Sequence, residues 1–512
     1  MKKKSTLQSA FFKIPVLAGL FVVLAAGFVA LVAAPNTLVG RDSQKSSAIS
    51  SAVHPAKLAA RTFFRITPDG VLLDRKVLTP EKQSSTAGTL ERHVKGPLGN
   101  TLWVVDDQNA IADGVAIDSN NVWGAWILDG ARLSIYPITG TPGWEFSSFN
   151  SGNSGVAAAK GADRAGFMES NAAGDDFQQH GFTSNSNGTP DWSFSYPVSD
   201  PNLPASSRKV ATSRDGSTIA AVVSDSVTQD STLYVFDAAT GAIRQTWTDT
   251  VRMDGVDLTD DGSIALVTQD NVATLIDTAT ANTVFSVAGS GAGSIYYRIS
   301  GDGRVFVVGG FSFDVYAFDG TTYTRVIHFS QANSWFGGAC AVSHDGSTAG
   351  TFAGNFADNW LSGVVYLFDV ASGNMLGSYS VNGSGLYQGT PIGAASNDDG
   401  SVMAFASWGT EFHDWPEVMV FNRNVELIGQ IDFPGSAFSV DVSSDGQYVV
   451  GGSKAVHANQ FGSGGRIELI QLQAAPTPTP TSTATATPTA TSAPRSTPVP
   501  RPRPTPLPRP TP

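Results

Sequence analysis

The sequence predicts an all-β chain folded as a single β-propeller, eight-bladed or else seven-bladed. Three observations carry that prediction. One strand–turn–strand phrase recurs through the middle of the chain. The recurrence has the length of a propeller blade. The composition suits short strands and tight turns: 53 Gly among 512 residues, 41% hydrophobic, and only 15% charged.

The phrase is most explicit in six copies that align without gaps: VATSRDGSTIAAVV (210–223), VDLTDDGSIALVT (256–268), YRISGDGRVFVVG (297–309), CAVSHDGSTAGTF (340–352), AASNDDGSVMAFA (394–406) and VDVSSDGQYVVGG (440–452). Their turn aspartates, Asp215, Asp261, Asp302, Asp345, Asp399 and Asp445, are 46, 41, 43, 54 and 46 residues apart. Two weaker copies precede them, VAIDSNNVWGAWI (115–127) and VAAAKGADRAGFM (156–168), which makes eight, or seven if the unit at 156–198 is irregular. Each copy continues into a third strand with an acidic turn, such as STLYVFDAATG (231–241), and then a fourth, such as AIRQTW (242–247). The last copy stops after its third strand, RIELIQLQ (466–473), one strand short. The apolar TLWVVDD (101–107) has nothing local to pair with. It is expected to supply the missing outer strand and close the ring, which removes open sheet edges.

These phrases resemble the repeats of bacterial WD-like, YVTN-type and quinoprotein-like propellers, VATSRDGS and STLYVFDAATGAIRQTW above all, over residues 115–473. The WD dipeptide and the YVTN tetrapeptide are themselves absent. The resemblance implies the fold and leaves function open, because such propellers serve as enzymes, scaffolds and lectin-like binders alike. In quinoprotein dehydrogenases it would further imply a quinone and calcium at the ring centre, often beside a disulfide of adjacent cysteines. This chain has one cysteine, Cys340, and no residue matches that site, so no cofactor is expected.

The flanks carry their own expectations. Four lysines precede an uncharged apolar run from Ile14 to Ala34, read as a signal peptide or an uncleaved membrane anchor over residues 1–34. Either way the body lies outside the cytoplasm, extracellular or at the cell surface, with membrane contact only through that segment. Residues 35–100 read as a spacer holding a candidate hairpin, TFFRITPDGVLLDRKV (62–77). Residues 474–512 are almost wholly Pro, Thr, Ala, Ser and Arg, similar to the glycosylatable linkers of secreted bacterial surface proteins. They are expected to form a disordered stalk up to about 120 Å long. The termini hold eight cations and no acid, so the formal charge of −12 leaves −20 on the body. Such a surface repels nucleic acid.

Catalytic signatures are missing: no G-x-S-x-G, no P-loop, and no calcium loop, since the Asp-Gly pairs read as hairpin turns. The seven histidines show no zinc spacing, so no metal is expected. Aromatic loops are the remaining signal. Loops joining the second and third strands of the last three blades are long: 354–363, 407–417 and 452–465. Trp335, Trp360, Trp408 and Trp415 fall in these loops or in the connections between blades, with Phe336, Phe356, Tyr387 and Phe412 beside them. Asp358, Glu411, His413, Asp414 and His457 would form a polar rim. Two readings compete. The rings either fold back to cap the loops or form a platform that binds a surface polysaccharide or an extracellular protein. The short loops of blades three to five tilt the sequence toward a non-catalytic binding module, with a propeller enzyme and a structural surface-layer protein as the alternatives.

Overall fold

The computed structural model describes residues 61–67, 70–75 and 99–472, apart from short stretches at 129, 142, 149–153, 171–176, 197–209, 225–229, 270 and 290–295. The apolar N-terminal run, most of the spacer and the Pro/Thr tail lie outside the described residues. Among those described, the helical structure is a single 3-10 turn at Phe356–Asp358, and no helix is long and apolar enough to cross a membrane.

Eight small antiparallel sheets form the ring, one per repeat, with strands in the order a, b, c, d from the axis outward. Each inner strand touches the inner strand of the next blade, from Ile111–Ile117 in blade I to Ala437–Val442 in blade VIII, which touches Ile111–Ile117 again. The burial pattern follows from this stacking. A middle strand such as Thr218–Ser224 is buried at every position, because both faces of its sheet meet a neighbouring blade. An outer strand such as Ile243–Asp249 alternates between exposed and half-buried positions, because the sheets splay apart there. The core accordingly divides into eight apolar clusters, one at each blade interface.

The interface between blades VIII and I closes the ring as the sequence predicts. Asn100–Asp107 pairs antiparallel with Gly465–Gln471 and serves as the outer strand of blade VIII. Trp103 is fully buried with Val105, Val450, Ile467 and Leu469 against Val122, Trp126 and Tyr136 of blade I. At the end of the strand, buried Asp107 accepts from Arg132 of blade I at 2.6 Å and caps the backbone N–H groups of Asn109 and Ala110. The candidate hairpin forms too, as strands Arg61–Thr67 and Gly70–Arg75, and Arg61–Arg65 pairs with Trp103–Asp107. The closing sheet therefore has six strands.

The recurrent S/T/N-x-D-G phrase makes the tight a–b turns. In each of the six, glycine takes a left-handed φ of 66–73° and the aspartate accepts from the backbone N–H two residues on. The side chain two residues before it, Ser213, Thr259, Ser300, Ser343, Asn397 or Ser443, donates to that aspartate and accepts from the strand beyond. Each aspartate is thereby occupied within its own turn.

Inner strands also share a bulge near their start, at Asp113, Asp254, Ile392 and Phe438. Asp113 is 4% exposed, its Oδ2 has no hydrogen-bond partner, and burial pushes its pKa up to about 7. The folded state therefore holds its proton more tightly than the unfolded state between about pH 4 and 7. Stability falls as pH rises through that window and is flat above it. Asp113→Asn should leave urea stability little changed at pH 4 and raise it at pH 8 by up to about 4 kcal/mol. An equal effect at both pH values would contradict the buried, protonated carboxyl.

Candidate functional site

In each blade the b–c loops and the connections to the next blade emerge on the face opposite the a–b turns, because the strands alternate in direction. Ladder registers set the loop lengths on that face. The b–c loop is two residues in blade IV, between Gln269 and Val272, and three in blade V, between Gly309 and Phe313. It is eight in blade VI, between Gly354 and Gly363, eleven in blade VII, between Ala406 and Val418, and ten in blade VIII, between Lys454 and Gly465.

Long loops carry backbone groups that no ladder satisfies, and here acidic side chains take up part of that task. In blade VI, Asp358 accepts from the Leu361 N–H and the Asn355 amide, and also from the Ser362 hydroxyl. In blade VII, Asp414 accepts from the Ser384 N–H and the Thr410 hydroxyl, while Glu411 accepts from the Leu386 N–H at 2.6 Å. His457 of blade VIII accepts at Nδ1 from the Asn459 N–H, which leaves Nε2 to donate to the Gly409 carbonyl at 3.2 Å. Burial pushes its pKa down, so it is neutral in this role. Tyr387 stacks on it at 4.9 Å and accepts from the Gln460 amide. Asn359 donates to the Leu386 carbonyl. The three long loops and the 383–390 connection are thus one hydrogen-bonded body.

The predicted site residues divide. Trp360 is 7% exposed and Trp415 is 5%, the latter donating Nε1–H to Ser407, and both cap the ends of sheets. Phe336 is fully buried against Tyr366 and Phe329. These three rings and buried His457 stiffen the loops and have no free face for a ligand, which corrects their place in a platform. Of the expected polar rim, His457 is buried, whereas Asp358, Glu411 and His413 are half-buried and Asp414 is exposed, and all five also bond within the loops. Trp335, Trp408 and Tyr387 are half-buried, while Phe356 and Phe412 are exposed.

Three outward residues escape sequence reasoning: Phe311 at 45%, Leu386 at 80% and Phe461 at 82% exposed. Their signal is a lone apolar residue within a Gly/Ser-rich loop, as in GGFSF, GSGLYQG and NQFGSGG. Phe311 meets Trp335 edge to face at 5.0 Å and Phe356 at 6.3 Å. Leu386 follows Gly385, whose missing Cβ leaves room for Glu411 and then Phe412, and precedes Tyr387. Phe461 follows Gln460, the partner of Tyr387. Outward apolar side chains therefore recur along the loop face from blade V to blade VIII.

A second cluster lies at the channel mouth on the turn face. The residue before each turn aspartate comes from a different blade, and four of these residues converge. Arg214 of blade III binds Asp398 of the opposite blade VII through two bonds of 2.6 and 2.7 Å, and approaches His344 of blade VI at 3.3 Å. His344 reaches Asp260 of blade IV at 2.6 Å, over the gap left by Gly301. The bonds from Asp398 push the Arg214 pKa up. The charges pair with one another across the ring, where an enzyme site would direct them at a substrate. The variable column before Asp-Gly, reading R, D, G, H, D and S in blades III to VIII, is the sequence signal for this cluster.

Among solved structures the chain is similar to the C-terminal WD40 domain of Sif2, with a TM-score of 0.52 and 11% identity, covering 74% of this chain and 99% of that one. The fold is a WD40-type β-propeller. No family model matches the sequence, and no curated protein matches it. At this identity the likeness concerns fold alone, so function rests on the site.

The division of the rings is open to measurement. Trp415→Ala should lower urea stability by about 3–5 kcal/mol, whereas Phe412→Ala and Phe461→Ala should change it by no more than about 0.5 kcal/mol. Comparable losses in all three would mean that the outward rings are structural as well.

Proposed function

We propose that this protein is a non-catalytic propeller, displayed outside the cell, that binds an extracellular protein through the outward apolar side chains of its loop face. The observation that carries the reading is that exposed Phe311, Phe356, Leu386, Phe412 and Phe461 stand on loops fixed by buried side chains. Exposed rings on a rigid base lose little entropy on binding, and clustered apolar exposure of this kind marks interaction surfaces. Blades IV and V close their sheets with two- and three-residue loops, so ring closure alone does not call for the longer ones. The outward side chains are Phe and Leu, while the tryptophans are turned inward or half covered. That composition suits the apolar side chains of a peptide segment better than sugar rings. Display outside the cell is supported by the basic and then apolar N-terminus.

Peptides selected against the propeller from a random library provide the test. Their binding should be lost in the variant carrying Leu386→Ser, Phe412→Ser and Phe461→Ser, whose thermal midpoint stays close to that of the parent. Equal binding by the variant would remove these side chains from function. Co-sedimentation with insoluble cell-wall polysaccharide that depends on the same three residues would replace the protein ligand by a glycan.

A further inference from the structure

At the loop end of blade VII, the last paired residues of strands c and d are Val418 and Ile431. Glu417 and Asp432 each lie one residue beyond that pair, on adjoining strands. Glu417 is completely buried, and its Oε2 accepts from the Phe433 N–H at 2.7 Å, which fixes the carboxylate. Four residues before it, His413 has a left-handed φ of 51° and brings its Nδ1 to 2.5 Å from Glu417 Oε1. One donor atom from each of His413, Glu417 and Asp432 lies within 4.8 Å of the other two. Gly409 approaches so closely that a Cβ there would sit 2.6 Å from Glu417 Oε1.

We propose that His413, Glu417 and Asp432 form a binding site for a divalent transition-metal ion of the Zn²⁺ type. Two carboxylates and a neutral imidazole carry two negative charges, which a divalent ion neutralises. Without an ion, Glu417 leans on the His413 ring and the Phe433 N–H, and Asp432 adds a second carboxylate to the cluster. The mixed donor set suits Zn²⁺ or Mn²⁺, whereas Ca²⁺ takes six to eight oxygens. Bonds of about 2.0–2.2 Å require donor atoms roughly 3–4 Å apart, so binding spreads His413 from Glu417. Two donors adjoin the ends of paired strands, and the third is on the loop that carries Phe412. Half-exposed Asp432 leaves the outer side open to water. The aspartates of the a–b turns offer no comparable set, because each is bonded within its turn. The proposal is independent of the peptide-binding reading.

The test uses the full chain, dialysed against EDTA and titrated calorimetrically with ZnCl₂ and then MnCl₂. The expected result is one equivalent of Zn²⁺ per chain and a thermal midpoint that rises with Zn²⁺. Asp432→Asn and His413→Ala should each weaken the affinity about tenfold or more, while His328→Ala on an outer strand leaves it unchanged. Glu417 also anchors the fold through the Phe433 N–H, so half-exposed Asp432 carries the decision. Absence of binding by either ion overturns the proposal. Equal binding by the Asp432→Asn and His413→Ala variants overturns it too, by placing the ion elsewhere.

Discussion

A ring of sheets is stable only if it is fastened where the chain begins and ends. Here the fastening is the pairing of Asn100–Asp107 with Gly465–Gln471. Every other interface joins blades that are consecutive in sequence, so only this one brings together segments 360 residues apart, as Asp106 and Arg466 are. Trp103 and Trp126 are both fully buried at this seam. Without the seam, the apolar faces of blades I and VIII would be open to water, together with a full edge of unpaired backbone. The ion pair of Asp107 with Arg132 shows the same logic in polar form, since either charge alone at that depth would be costly.

Closure also assigns the two faces different work. On the turn face, the Asp-Gly clasps of blades III to VIII leave the residue before each aspartate outside the clasp, and Arg214, His344, Asp260 and Asp398 use that position to pair across the ring. On the opposite face nothing in the fold demands long loops. Where they occur, in blades VI to VIII, tryptophans and carboxylates turn inward to hold them and phenylalanines and a leucine remain outside. The same loops place His413 beside Glu417. A charged, self-satisfied face thus lies opposite an apolar, open one.

Most of the fold is legible in the sequence because a propeller repeats its physics. The Asp-Gly turns need a positive φ at glycine and a carboxylate acceptor, so they mark the same point in each blade, and the missing fourth strand after Gln471 points to residues 101–107 as its replacement. The site is less legible. Aromatic content locates the loops correctly, yet it cannot tell inward from outward rings, because that depends on which sheet end a given loop folds over. Trp415 and Trp360 therefore look no different from Phe412 in the sequence. Phe311, Leu386 and Phe461 read as isolated residues among glycines and serines, with nothing local to mark them as neighbours. The charges at the channel mouth are hidden for a different reason: their partners are on other blades, as with Arg214 and Asp398, and no local spacing reveals that.

Asn100–Asp107 closes the ring beside the last strand of the propeller. Asp106 and Arg466 are direct partners across that ladder, and their side chains are a quarter or slightly more exposed. In a chain carrying Asp106→Cys and Arg466→Cys, with buried Cys340 changed to Ala, mild oxidation should form an intramolecular disulfide, since cross-strand pairs lie within disulfide reach. The product should run with altered mobility on a non-reducing gel and unfold at a higher temperature than its reduced form. Failure to cross-link in the folded monomer, or a cross-link that forms only between two chains, would contradict the closure of the ring by this strand.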